Sequence, residues 1–509
     1  MARLTTPHSR PLPTLRAYEA SIPPLLRPLI RAYLFGYASS TVPRILTLFL
    51  SHLSRRRKNI DVLPEDCFVP SFARILKGGL EWQRFPTFCC ALVGGILVSS
   101  PSGRVIDRPP ASSTTASALI VQLGTNDVFS RFHLEDSSPA YSEILTKWLS
   151  TFIAAWFSLQ LLQSKEQDAY IDRIPSDDDE GVTTETVRFA GRTMDLTLFA
   201  LTRAVDVVVG ELWSQRRRKR IAERKWTKIE TSISGLTDSA IFASSCALIM
   251  WSWIYMPSRL PRAYNKWITA AAQVDQRLLV ALRRCRYGEI KYGLETGQAP
   301  LLQSMCKDYN WPLDYGDPIK SVPFPCEIVH MGTGPNCEYH ALSRWVRSFR
   351  WAFLTYLPIN LALTLRKPSR KAFLRALMSS LRSSSFLGSF IALYYYGICL
   401  TRSRLGPMIL GTSTPACQRI DSGLCVAGGC SLCGWSILLE NASRRKDIAL
   451  FVTPRALATL LPRRYSWDLQ WRETLVFAAS TAVVFTCVAE KPERVRGVLG
   501  KVLARTLIA

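Results

Sequence analysis

The chain has 509 residues, 48% of them hydrophobic, and its Lys and Arg outnumber its Asp and Glu by 64 to 39. So much apolar material exceeds what one soluble core can use, which leaves two domains or a polytopic membrane protein. Fourteen cysteines in this length exclude a disulfide-dense secreted module, and a net charge of +25 suits either nucleic acid or the anionic face of a membrane.

Residues 1–65 read as an amino-terminal tail followed by a first apolar helix region. The opening is rich in Arg, Pro, Ser and Thr and has no acid before Glu19, as in a mitochondrial presequence. Prolines at 7, 11, 13, 23, 24 and 28 interrupt any amphipathic helix there, so an irregular tail is the expectation. No compact apolar run with a small-residue cleavage site occurs, and the sequon Asn441-Ala442-Ser443 has no other lumenal signal beside it.

A spanning helix needs about 17 to 25 mostly apolar residues, because hydrocarbon offers the backbone no partners. In a first repeat, 66–270, the uncharged runs are Phe85 to Gly103, Trp148 to Ser164 and Ser239 to Ser258. A linker occupies 271–345. In a second repeat, 346–509, the runs are Trp351 to Leu365, Ser383 to Thr401, Ser422 to Leu439 and Thr474 to Ala489. They carry small residues such as Gly94, Gly95, Gly388, Gly428 and Gly429, which permit close helix approach. Short basic clusters such as Arg216 to Arg220 and Arg444 to Lys446 sit at their ends. That placement is juxtamembrane anchoring, and with no reader motif it removes nucleic acid as a partner. The expected fold is all-α: a polytopic helical membrane protein of two homologous halves with eight to ten membrane-associated segments. A soluble protein with buried core helices is the competing reading.

The duplication rests on blocks in the same order. Asp195-Leu-Thr-Leu-Phe-Ala-Leu-Thr-Arg203 matches Asp447-Ile-Ala-Leu-Phe-Val-Thr-Pro-Arg455 without a gap, making Asp195, Arg203, Asp447 and Arg455 repeat-matched polar residues. Farther on, Asp238-Ser-Ala-Ile-Phe-Ala-Ser-Ser aligns with Glu473-Thr-Leu-Val-Phe-Ala-Ala-Ser, and Pro257-Ser-Arg259 with Pro492-Glu-Arg494. The two offsets differ by 17 residues, a difference assigned to an insertion in a surface loop between Trp213 and Glu230. Repeats of this size are common in transporter-like folds, where a lipid or metabolite ligand would lie between the halves.

Two Cys and two His fall within 15 residues of the linker: Cys326, His330, Cys337 and His340. Neutral His and Cys thiolate form the ligand set of a tetrahedral zinc site, and Gly332-Thr-Gly-Pro-Asn336 could fold the pairs together. The spacing C-x3-H-x6-C-x2-H matches no standard finger, and it favours a compact linker whose cysteines pack and whose histidines cap the next helix. Beyond that zinc ion no cofactor is expected. Cys417, Cys425, Cys430 and Cys433 lie in a Gly-rich apolar setting and read as small packing residues. Asp177 to Glu180 reads as a solvated acidic loop. With no P-loop, dinucleotide fingerprint, nucleophile elbow or H-E-x-x-H, the expectation is a non-enzyme.

The segment Pro325-Cys-Glu-Ile-Val-His330 through Cys337, with Ser385-Phe-Leu-Gly-Ser-Phe-Ile391 and Ser443-Arg-Arg-Lys-Asp-Ile-Ala-Leu450, resembles the transmembrane protein 135 family over about 320–465, in a fungal-type form. That family is in turn distantly similar to the mitochondrial inner-membrane Tim translocase family. The resemblance implies a multi-pass protein of peroxisomal or mitochondrial membranes, concerned with organelle homeostasis and with lipid or metabolite handling. The lipid bilayer and other organelle membrane proteins would be its partners, and no catalytic residues are carried over. A translocase-like scaffold for protein import and a metal-dependent membrane enzyme built on the Cys/His cluster are the alternatives.

Overall fold

A computed structural model describes residues 22–23, 26–57, 68–99, 139–178, 181–365 and 368–507; most of the expected tail, and the stretch 100–138 of the first repeat, lie outside the described residues. The helices are α1 (Arg27–Arg57), α2 (Phe68–Gly79), α3 (Phe85–Ser99), α4 (Pro139–Gln163), α5 (Met194–Ala222), α6 (Lys228–Tyr255), α7 (Arg262–Ala272), α8 (Gln276–Tyr287) and α9 (Ala299–Asp308). They continue as α10 (Cys326–His330), α11 (Cys337–Thr364), α12 (Arg370–Leu400), α13 (Gly406–Leu410), α14 (Thr414–Arg419), α15 (Cys425–Cys433), α16 (Ala442–Ala458), α17 (Gln470–Glu490) and α18 (Gly497–Leu507).

Polar caps set several of their starts. Thr227 and Glu230 exchange backbone and side-chain bonds at the head of α6. Asp275, Asn336 and Ser369 each accept a backbone N–H at the heads of α8, α11 and α12.

Three short strands depart from the all-helical expectation. β1 (Ile171–Asp178) pairs antiparallel with β2 (Gly181–Ala190), from Ile171↔Arg188 to Asp178↔Gly181, and β2 pairs with β3 (Tyr465–Ser466). Asp177 and Asp178 therefore end a strand rather than float in a loop; Asp179 and Glu180 lie outside the described residues. The Thr- and Val-containing run after Gly181 supplies the β-forming partner. The basic run Arg216–Arg220 also differs from expectation, since it continues α5 as helix to Ala222 instead of forming an inserted loop.

The chain divides into two compact units, one of residues 1–212 with 464–509 and the other of 213–463. In the first, α3 packs on α1 and α4, and α4 packs on α17. Phe88, Leu92, Ala155, Leu159, Phe477 and Val488 form the core there. The three-stranded sheet belongs to the same unit, and Arg464 holds both carboxylate oxygens of Asp172 at 2.9 and 3.0 Å.

In the second unit α11 pairs with α12, α12 with α15, and α6 packs against α15, α16 and the turn at Gly434–Leu439. Phe242, Ile249, Trp253, Ile254, Ile398, Cys425, Val426 and Ile437 form its main core. Small residues make that packing possible: a Cβ placed on Gly397 would stand 2.8 Å from the Gly428 carbonyl oxygen. Cys425, Cys430 and Cys433 are buried in this core, as their apolar setting implies, and Cys417 is buried in a neighbouring one.

Four helical stretches are long and apolar enough to cross a membrane: Lys228–Tyr255, Arg370–Leu410, Thr414–Leu439 and Trp467–Glu490. They take up four of the seven uncharged runs. Phe85–Ile96 is apolar but shorter. The runs at Trp148 and Trp351 become parts of α4 and α11, diluted by Lys147, Gln160 and Gln163 in the one and by Asn360 and flanking arginines in the other. Large apolar side chains stay exposed, among them Leu354, Leu363, Phe373, Met408 and Ile409. Water would penalise such surface, whereas a bilayer would not.

Candidate functional site

The linker cysteines and histidines are brought together within the second unit, by a short helix, a turn and the head of a long helix. Cys326 opens α10 and His330 closes it. Met331, Gly332 and Gly334 then take positive φ, at 49°, 84° and 86°. This tight reversal, favoured by the two glycines, delivers Asn336 as the cap of α11 and Cys337 as its first residue. The ligand atoms of Cys326, His330 and Cys337 all lie within 4.8 Å of one another.

A fourth group comes from 62 residues downstream of Cys337. Cys399, near the end of α12, has its Sγ 3.3 Å from His330 Nε2, and the Cys337 and Cys326 thiols are near enough to act on it electrostatically. The proton on His330 is fixed by its other neighbour. Nδ1 faces the Gly334 carbonyl oxygen at 2.6 Å, and a carbonyl only accepts, so Nδ1 donates and Nε2 turns a bare lone pair toward the thiols.

His340 does not join this set. Its Nδ1 is 2.6 Å from Thr333 Oγ1, whose own proton goes to the His330 carbonyl oxygen at 2.8 Å, so Nδ1 of His340 is the donor. Its ring lies flat against that of His330, with centroids 4.4 Å apart and 13° between planes. Its Nε2 is buried without a hydrogen-bond partner among the described residues. Of the four residues grouped by spacing, Cys326, His330 and Cys337 stand close enough together to share a metal ion, and His340 is turned to Thr333. Thr333, inside the turn, holds Nδ1 of His340, while Cys399 approaches His330 from α12.

Burial governs the protonation of these groups. It pushes the Cys326 thiol up, against the pull of the Arg402 guanidinium. It lowers His330, and it lowers His340 to about 3 with help from His330 and Arg344.

Two further buried polar groups were not singled out by the sequence. In the second unit Arg402 holds Asp421 through Nε–Oδ1 at 2.7 Å and Nη2–Oδ2 at 3.0 Å. Tyr292 donates to Asp421 Oδ2 at 2.5 Å, and Arg402 also donates to the Phe324 carbonyl oxygen at 2.6 Å. Each end of the pair sits in a π-turn, Thr401–Leu405 and Ile420–Leu424, where the widened helix carries the polar side chain inward. In the first unit Glu473 accepts from Thr193 and Tyr465, while Gln163 bonds Thr193 at 2.9 Å and Thr474 at 3.1 Å.

The repeat-matched residues fall in separate units, Asp195 and Arg203 in one, Asp447 and Arg455 in the other. Their arginines behave alike. The Arg203 guanidinium lies over the Phe199 ring at 5.2 Å and that of Arg455 over Phe451 at 3.9 Å.

Openings among the described residues of the second unit include a small cavity and a groove. An enclosed, almost wholly apolar cavity of about 50 Å³ is walled by Leu278, Phe324, Ile328, Tyr394, Arg402 and Asp421 among others. It has room for a few water-sized groups and excludes an acyl chain. An open groove of about 720 Å³ lies between the end of α11 and the start of α12, lined by Asn360, Leu363, Thr364, Ala372, Arg375, Ala376 and Ser379. No family model, curated protein or solved structure matches the chain.

Proposed function

We propose that the protein is a multi-pass membrane protein that binds or moves a lipid or lipid-like metabolite in a peroxisomal or mitochondrial membrane, as its resemblance to the transmembrane protein 135 family implies. The observation that carries this reading is the groove between α11 and α12. It is of ligand size, it joins apolar walls from Leu363, Ala372 and Ala376 to the cation of Arg375, and it opens on helices whose exposed side chains are Leu363, Phe373 and Leu374. An anionic headgroup beside Arg375 with its chain along Leu363 uses both features. Photo-crosslinking the purified chain in nanodiscs with a diazirine-bearing phospholipid tests it. Labelled peptides should concentrate in 360–379, and Arg375→Ala should reduce that labelling several-fold. Labelling spread evenly over the apolar helices and indifferent to Arg375 would count against the reading.

For the architecture, we propose two homologous halves that have exchanged their closing helices. At one constant offset of 235 residues, α6 and α17 end together at Tyr255 and Glu490, the single turns Pro257–Arg259 and Pro492–Arg494 coincide, and α7 and α18 share both limits. Each compact unit pairs the earlier helices of one copy with these closing helices of the other. Arg259 reaches the Thr459 carbonyl oxygen beyond α16 at 3.1 Å, and its counterpart Arg494 reaches Glu211 on α5 at 3.1 Å. Arg259 and Arg494 thus each tie the closing helices to the earlier helices of their own unit, one through a backbone carbonyl and the other through a carboxylate.

A further inference from the structure

We propose that Cys326, His330, Cys337 and Cys399 bind a single zinc ion as a closed Cys3His centre that fastens the linker to α12. The proposal is independent of the lipid reading, since it needs neither the groove nor its ligand.

Geometry is the first argument. With Zn–S about 2.3 Å and Zn–N about 2.0–2.1 Å, a regular tetrahedron sets N···S near 3.6 Å and S···S near 3.8 Å. His330 Nε2 already stands 3.3 Å from Cys399 Sγ, and the atoms of Cys326, His330 and Cys337 span no more than 4.8 Å.

The second argument is the support around the ligands. A metal-bound imidazole usually donates its other N–H to a carbonyl or carboxylate, which fixes ring and tautomer. His330 does this through Gly334, and the flat face of His340 backs the same ring. His330 and Cys399 are almost wholly buried, at 0% and 2% exposure. Three elements, α10, the head of α11 and the tail of α12, bring these groups up to His330, which close packing of apolar side chains does not require.

Charge is the third. On binding, three thiols each release a proton to solvent as a Zn–S bond forms, and neutral His330 completes the shell, leaving a net charge of −1 on the centre. The guanidinium of Arg344, bonded to the Ala272 and Gln273 carbonyl oxygens, acts on His330, so a cation is in place to offset it. A shell of four protein ligands has no open position for water or substrate, which makes the centre structural and argues against metal-dependent catalysis here.

The test uses the full chain, produced with zinc in the medium, purified in detergent through a histidine-free tag and without chelators. Metal analysis should return about one zinc per chain, and X-ray absorption should show three sulfurs and one nitrogen. Cys399→Ser should lower zinc retained against a competing chelator by about tenfold or more, while His340→Gln should leave it unchanged. Zinc below a tenth of an equivalent, or a Cys326–Cys337 disulfide in native peptides, would overturn the proposal. A shell of two sulfurs and two nitrogens, or zinc lost with His340→Gln and kept with Cys399→Ser, would overturn the assignment of Cys399. If Cys399→Ser does not fold, the sulfur count on the unaltered chain still decides.

Discussion

Removing Asp421 should destabilise the second unit more than any other single polar truncation in it. Arg402 and Asp421 are 7% and 3% exposed, and the carboxylate takes two bonds from Arg402 and one from Tyr292. In Asp421→Ala the guanidinium keeps only the Phe324 carbonyl oxygen, and a guanidinium does not shed its charge in a protein. Breaking a buried pair from one side costs about 3–5 kcal/mol. Arg402→Met should cost less, since the surviving carboxylate keeps Tyr292 as a donor. The double variant Arg402→Met/Asp421→Leu, which removes both charges and fills the space, should fall within about 1 kcal/mol of the parent. Equilibrium unfolding in mixed micelles, run as a double-mutant cycle, measures all four corners. The reasoning fails if Asp421→Ala costs under about 0.5 kcal/mol or if the two single losses simply add.

Three other outcomes follow from particular contacts. Gly397→Val puts new methyl groups where the Gly428 carbonyl oxygen stands 2.8 Å from a bare Cβ, so thermal unfolding should reveal a loss of about 1–3 kcal/mol; a neutral result would mean that α12 and α15 are less closely packed. Asp275 caps α8, and its hydrogen bonds with Arg277 hold its carboxyl below the usual range. Its contribution is therefore present above the unfolded value of about 4 and fades as pH falls through the lower folded one. Asp275→Ala should cost about 1 kcal/mol at pH 7 and progressively less in acid, and a loss that is the same across this range would contradict it. Finally, if the closing helices are exchanged, co-expressed fragments 1–272 and 273–509 should co-purify through the apolar face of α6, where Phe242, Ile249 and Trp253 are buried. Two monodisperse fragments with no affinity for each other would contradict the exchange.

What the sequence made legible follows the range of the interactions. Cys326, His330 and Cys337 are close in the chain, so their convergence needs one turn, and the glycines of that turn announce it. Cys399 lies far downstream in an apolar helix, where a cysteine reads as a small packing residue. His340 sat at a plausible spacing, yet the hydroxyl of Thr333 holds its Nδ1 locally. The Arg402–Asp421 pair escaped for a related reason. The uncharged runs end at Thr401 and resume at Ser422, so both charges stand just outside them in the sequence. The π-turns that carry them inward leave no mark in hydropathy. The hairpin at 171–190 was hidden because its first strand holds Pro175 and acids, residues that strands disfavour, and its register is supplied by pairing with a better strand. The four apolar helices were legible because length and hydropathy are local properties.

The central claim is membrane residence, and alkaline carbonate extraction of membranes carrying the native chain tests it most directly. With Lys228–Tyr255, Arg370–Leu410, Thr414–Leu439 and Trp467–Glu490 spanning the bilayer, the protein should stay in the pellet and leave it only with detergent. Quantitative release into the supernatant at high pH would contradict the account.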